Sequence, residues 1–156
     1  MADPLAHPAP DDRPTRGDDP VEVVRAFLGA LERLDIDAAT ALLSDDATYQ
    51  NVPFPPARGR RAIEKQLRGL ARYGSGFEVH YDNVAAEGGT VLTERTDVLV
   101  VGPVRAAFWV CGTFEVHEGR ITLWRDRFDF VDVLRGFVAG GARALLELLG
   151  GRDKRD

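Results

Sequence analysis

Apolar residues recur mainly at helical spacing up to residue 73, and from residue 77 to residue 130 the period changes to two. Asp19-Pro20 offers an N-cap followed by proline at the first helical position, and Val21, Val24, Phe27, Leu28 and Leu31 continue as the buried stripe of a first helix. DIDAATALL (35–43) reads as a second, short helix closed by Ser44-Asp45-Asp46, and ATYQNVP (47–53) as a strand. Pro53, Pro55 and Pro56 stiffen the next segment, after which RRAIEKQLRGLARY (60–73) carries Ile63, Leu67 and Leu70 as a third helix. FEVHYDNVAAEG, TVLTERTDVLVVG, AAFWVCGTFEVHEG and RITLWRDRFDF then read as four antiparallel strands of a meander, parted by Glu87-Gly88-Gly89, Gly102-Pro103 and Glu118-Gly119. VDVLRGFVAGGARALLELLG (131–150) is helical, with a bend or break expected at Gly140-Gly141.

Helices first, one strand, a helix and then a long meander is an α+β pattern. A curved mixed or antiparallel sheet wrapping the N-terminal helices would form a cone with a deep apolar pocket on its concave face.

Three of these strands carry polar groups in otherwise apolar runs. Side chains two apart in a strand share a face, so Tyr49 goes with Asn51, Arg95 with Asp97 and Leu99, and Trp124 with Asp126 and Phe128. If those faces look inward, the chain has placed charge in its core, where an unpaired polar group costs about 1–3 kcal/mol and an unpaired charge more. Two carboxylates, a guanidinium, a phenol and an amide can satisfy one another. The competing reading is an ordinary cross-strand ion pair of Arg95 and Asp97 on a solvated face, and alternation alone does not say which face is wet. The coincidence with Tyr49, Asn51 and Asp126 favours a site. Trp124, Phe128, Leu99 and Phe108 read as its walls. Asp82 and Asp129 are alternative carboxylates, Asp129 lying out of phase with Asp126. His80 and His117 read as solvent-facing and lack ligand spacing, so no metal is expected. Arg58, Arg60 and Arg61 read as a solvated helix start.

Composition narrows the class. One domain spans 20–150; residues 1–19, with five Asp against two Arg, have the composition of a disordered arm, and 151–156 of a mobile end. A net charge of −5 argues against a nucleic-acid partner. The chain shows neither a signal peptide nor about 18 uninterrupted apolar residues, which gives the expectation of a cytoplasmic protein away from membranes. Its one cysteine, Cys111, reads as a packed thiol.

Tyr49-x-Asn51, Arg95-Thr96-Asp97 and Trp124-Arg125-Asp126, in that order, resemble the limonene-1,2-epoxide hydrolases, within the wider group of NTF2-like (cystatin-like, SnoaL-like) cones that includes ketosteroid isomerases and polyketide cyclases. Arg127 departs from the aromatic often found there, on the face opposite Asp126. The resemblance covers about residues 20–150 and implies a cofactor-independent hydrolase giving a vicinal trans diol from a small apolar epoxide and water. In it the residue matching Asp126 is the general base on a water held also by those matching Tyr49 and Asn51. That matching Asp97 is the acid, and that matching Arg95 bridges the carboxylates. It also implies a homodimer through the outer sheet face, with Ala107, Trp109 and Cys111 or their neighbours as candidates. An isomerase or cyclase using one carboxylate as base on a carbon acid, and a non-catalytic domain binding an apolar ligand, are the alternatives.

Overall fold

Asp19 accepts a 2.9 Å hydrogen bond from the Val21 amide and opens helix α1, Pro20–Glu32, as the cap-and-proline pair predicts. The computed structural model describes residues 19–150; the arm expected at 1–19, apart from Asp19, and the end at 151–156 lie outside the described residues. After α1 come α2 (Ile36–Ala41), β1 (Leu43–Val52), β2 (Ala57–Arg58), α3 (Arg60–Tyr73), β3 (Gly76–Glu87), β4 (Thr90–Val101), β5 (Val104–His117), β6 (Arg120–Phe128) and α4 (Phe130–Gly150).

The meander forms as predicted. β3, β4, β5 and β6 pair antiparallel in sequence order through two-residue turns, and at the last of these Glu118 and Gly119 both take positive φ, 50° and 71°, matching the strand twist. β1 then adds to β6 in parallel and β2 closes that edge, giving a mixed six-stranded sheet in the order β2-β1-β6-β5-β4-β3. α1 lies across β3 to β6, and its Val24, Phe27 and Leu28 are buried against the sheet. Phe27 meets Trp124 edge-on with ring centroids 4.9 Å apart and Phe114 at 6.4 Å, so the aromatic centre of the core joins α1 to β5 and β6.

Three features differ from the sequence expectation. Ser44-Asp45-Asp46 does not stop α2; these residues already belong to β1, whose Leu43 is fully buried and pairs with Ile121. Local polarity yields there to pairing, because the Ile121 amide donates to the Leu42 carbonyl at 2.8 Å and Asp45 and Asp46 simply point to solvent. β2 is too short, at two residues, to leave a periodic signal. α4 is one uninterrupted helix through Gly140-Gly141.

Packing explains the glycines of α4. β6 stops opposite Val110, so residues 104–109 of β5 have no strand on that side, and α4 packs there instead. A Cβ on Gly136 would fall 2.6 Å from the Ala107 carbonyl oxygen, and one on Gly140 would fall 2.3 Å from that of Arg105. α4 therefore lies along the open edge of β5, where it reaches the Ala107 backbone, and the Ala107 side chain stays exposed. Trp109 remains exposed and donates to Glu94 at 3.2 Å. No described helix is long and apolar enough to cross a membrane.

Two adjacent glycines of one helix should consequently respond with opposite sign. Nothing lies within 4 Å of a Cβ on Gly141, so Gly141→Ala should gain up to about 1 kcal/mol from helix propensity. Gly140→Ala should lose about 1–3 kcal/mol through overpacking against β5. Urea denaturation of the two variants measures both, and equal midpoints would show that α4 does not rest on β5.

Candidate active site

Strand alternation turns Thr93, Arg95, Asp97 and Leu99 of β4 toward the helices, together with Trp124, Asp126 and Phe128 of β6 and Tyr49 and Asn51 of β1. The register then brings distant segments together. In the parallel β1–β6 pair Tyr49 lies opposite Trp124 and Asn51 opposite Asp126. The Tyr49 ring stacks on the Trp124 indole with centroids 3.8 Å apart, and the Asn51 amide donates to the Tyr49 hydroxyl at 2.6 Å.

Arg95 joins the two carboxylates. Its side chain is completely buried, Nε donates to Asp97 Oδ1 at 2.9 Å, and Nη2 donates to Asp97 Oδ2 at 3.2 Å and to Asp126 Oδ2 at 2.7 Å. Nη1 donates to the Thr93 hydroxyl at 2.9 Å. Trp124 Nε1 donates to the same Asp126 oxygen at 2.8 Å, so Oδ2 holds two donors while Oδ1, equally buried, has no partner within the protein. Trp124 is thus more than the wall residue expected from sequence. Thr93 was not foreseen at all, although it stands two residues before Arg95 on the same face.

Above this row lies a cavity of about 300 Å³. Leu99, Phe108, Trp124 and Phe128 line it as expected, and Leu31, Leu67 and Phe130 close it from the helices. The alternative residues lie elsewhere. Asp82 is exposed, Asp129 caps α4 by accepting from the Val131 amide at 2.8 Å, and Arg127 is exposed on the opposite face from Asp126. His80 and His117 face solvent, Arg58 is exposed, and Arg60 pairs with Asp45. Among the described residues, no three His, Cys, Asp or Glu side chains gather as metal ligands.

Electrostatics set the protonation of the row. Burial pushes the Asp97 carboxyl up to about 6 against the pull of Arg95, with Asp126 and Glu32 adding repulsion. Burial also raises Asp126, opposed by Arg95 and the Trp124 indole N–H. Burial works against the charge on Arg95, yet the two carboxylates override it and hold the guanidinium protonated. Tyr49 is raised by burial and then by Asp126, so it stays a neutral phenol. Two raised carboxyls on one cation favour a pair carrying one proton. Such a row can take a proton at one oxygen and give one at another.

The sign of the pH dependence of stability follows. The folded Asp97 titrates near 6 and an unfolded aspartate near about 3.9, so between those values the native state holds the extra proton and stability falls as pH rises. Thermal melts at pH 4.5 and 7 should show wild type losing more stability across that interval than Asp97→Asn. Equal losses would place the Asp97 carboxyl in contact with water.

Sequence and structure comparisons give the family and the fold. The pattern of the limonene-1,2-epoxide hydrolase catalytic domain matches residues 18–139. Epoxide hydrolase EphG of Mycobacterium tuberculosis is 50% identical over 117 residues, covering 75% of this chain and 78% of that protein. The structure of an M. tuberculosis LEH-like epoxide hydrolase superposes with a TM-score of 0.75 at 46% identity, over 85% of this chain and 96% of that one. A protein with a ketosteroid isomerase-like fold from Catenulispora acidiphila, 18% identical over 74% of this chain and 92% of its own, superposes with a TM-score of 0.68 and shares the fold alone. With the catalytic-domain pattern matching most of the chain and a relative half identical over three quarters of it, the chain belongs to the limonene-1,2-epoxide hydrolase family.

Proposed function

We propose that this protein, as an epoxide hydrolase of that family, adds water to a small apolar epoxide in one general acid–base step, without a cofactor, and releases the vicinal trans diol. One observation carries the reading: a single buried guanidinium bonds both carboxylates at the floor of an apolar cavity and leaves Asp126 Oδ1 free. Asp126 is the base. Its Oδ2 is tied to Arg95 and Trp124, so Oδ1 is the oxygen that takes the proton of water, with Tyr49 and Asn51 beside it on β1 to orient that water.

Asp97, with its carboxyl raised to about 6, is the acid that protonates the departing epoxide oxygen. Water attacks carbon from the face opposite the breaking C–O bond, which inverts that carbon and gives a trans diol from a ring. One proton leaves Asp97 for the substrate as another leaves water for Asp126, so the pair keeps a single proton and Arg95 faces the same total charge throughout. That constancy is what preorganised electrostatics offers a buried site. A cavity of about 300 Å³ with an apolar lining suits a ring- or terpene-sized substrate. A homodimer is supported by exposed apolar side chains on the outside of the cone, Trp109 on β5 and Leu134, Val138 and Leu146 on α4.

Single-turnover incubation with cyclohexene oxide or a terpene epoxide in ¹⁸O-water tests the reaction. Labelled trans diol should form in the first turnover, and Asp126→Asn or Asp97→Asn should each lower the rate by about 10²–10⁴. A first-turnover diol carrying no label, its second oxygen drawn from the protein, would mean a covalent ester on a carboxylate and would overturn direct attack by water.

A further inference from the structure

The bond between Arg95 and Asp126 spans an entire strand. Arg95 stands on β4 and Asp126 on β6, with β5 between them, a separation of about 10 Å between strand axes. Across the sheet Thr93 pairs with Gly112 and Gly112 with Asp126, while Arg95 itself stands opposite Val110. The guanidinium must therefore run back along the sheet toward the Thr93 row and pass over β5 at position 112.

That is the one core-facing position of the β5 ladder without a side chain; its neighbours on the same face are Val110 and Phe114. A Cβ at 112 would fall 2.2 Å from Arg95 Nη1, 2.5 Å from the Thr93 hydroxyl and 3.0 Å from Asp126 Oδ1. A long side chain usually swings away from such a clash. Here it has nowhere to go, because Nε, Nη1 and Nη2 are already bonded to Asp97, Thr93 and Asp126. Gly112 does not take a positive φ, so backbone conformation does not call for glycine at this point. A glycine in a central strand weakens it, and an isolated one marks a close approach. What approaches here is the guanidinium.

We propose that Thr93 and Gly112 are positioning residues of the acid–base pair: Gly112 opens the slot through which Arg95 reaches Asp126, and the Thr93 hydroxyl locks the guanidinium in the plane that serves both carboxylates. The assignment of the pair to epoxide opening rests on the reading above; the slot itself rests on the geometry alone. Losing the slot takes Arg95 away from Asp126 and leaves it with Asp97. The other ionisable groups facing Asp126 are Asp97 on β4 and Tyr49 on β1, and Glu32 of α1 acts on Asp97. No ionisable side chain of β5 or β6 other than Asp126 itself faces the row.

The test compares wild type with Gly112→Ala, Thr93→Val and Thr93→Ser, using cyclohexene oxide and ¹³C NMR titration of the Asp97 and Asp126 carboxyls. Gly112→Ala should lower kcat at neutral pH roughly ten- to a hundredfold, the rate equivalent of one charge-assisted hydrogen bond, with KM little changed. An ionised Asp126 deprived of Arg95 is harder to form, so the ascending limb of the pH–rate profile and the Asp126 titration should both move to higher pH. Thr93→Val should move them the same way by less, and Thr93→Ser should bring them back toward wild type. A Gly112→Ala protein that melts earlier but keeps the wild-type limb and Asp126 titration would make Gly112 a packing residue and overturn the proposal. If Gly112→Ala does not fold, the Thr93 pair decides: coincident limbs for valine and serine overturn it, and separated limbs support it. Titrations that shift in a protein whose wild type opens no epoxide would uphold the slot and reject the reaction.

Discussion

A fully buried arginine charge is the constraint on which this structure turns. Desolvating a guanidinium is expensive, and the expense is met only by pairing it completely. Arg95 makes four hydrogen bonds, one to Thr93, two to Asp97 and one to Asp126. With both carboxylates ionised the group would carry a net negative charge in an apolar cavity, and with one protonated it is neutral. Burial therefore selects the singly protonated pair, which is also the state that acid–base opening of an epoxide requires. In the proposed reaction, folding stability and chemistry ask the same thing of these side chains.

The sheet supplies that pairing through its register. Tyr49 and Asn51 come from β1, seventy-five residues before Trp124 and Asp126, and they meet only because β1 adds in parallel to β6. The stacked Tyr49 and Trp124 rings then form a stiff floor that directs one N–H into Asp126 and one hydroxyl beside it. Phe27 of α1 braces that floor from behind, so the core that stabilises the fold and the frame that orients the site share residues. Truncating the frame would disturb both.

The parts legible in the sequence were those governed by short-range rules. Alternation and two-residue turns outlined four strands and their antiparallel order, and Asp19-Pro20 marked the start of α1 to the residue. Tyr49, Asn51, Arg95, Asp97 and Asp126 stood out because polar groups on apolar strand faces need partners. The start of β1 was hidden behind Ser44-Asp45-Asp46, which look like a helix stop until Leu43 is seen paired with Ile121. Gly140 looked like a helix breaker and is a contact point for β5. Both depend on what another segment does.

By itself, then, the sequence determined which of the site residues share a face of their strand, since within an unbroken stretch a side chain's face follows from a period of two. It left open whether that face was wet, which strand β1 would join, and why Thr93, Trp124 and Gly112 occupy their positions. Those were decided by tertiary structure alone, because hydrogen bonds across the sheet connect residues by register and not by separation along the chain. Asp126 and Gly112 are neighbours for the same reason that Asp126 and Asn51 are, and no local pattern in the chain contains either fact.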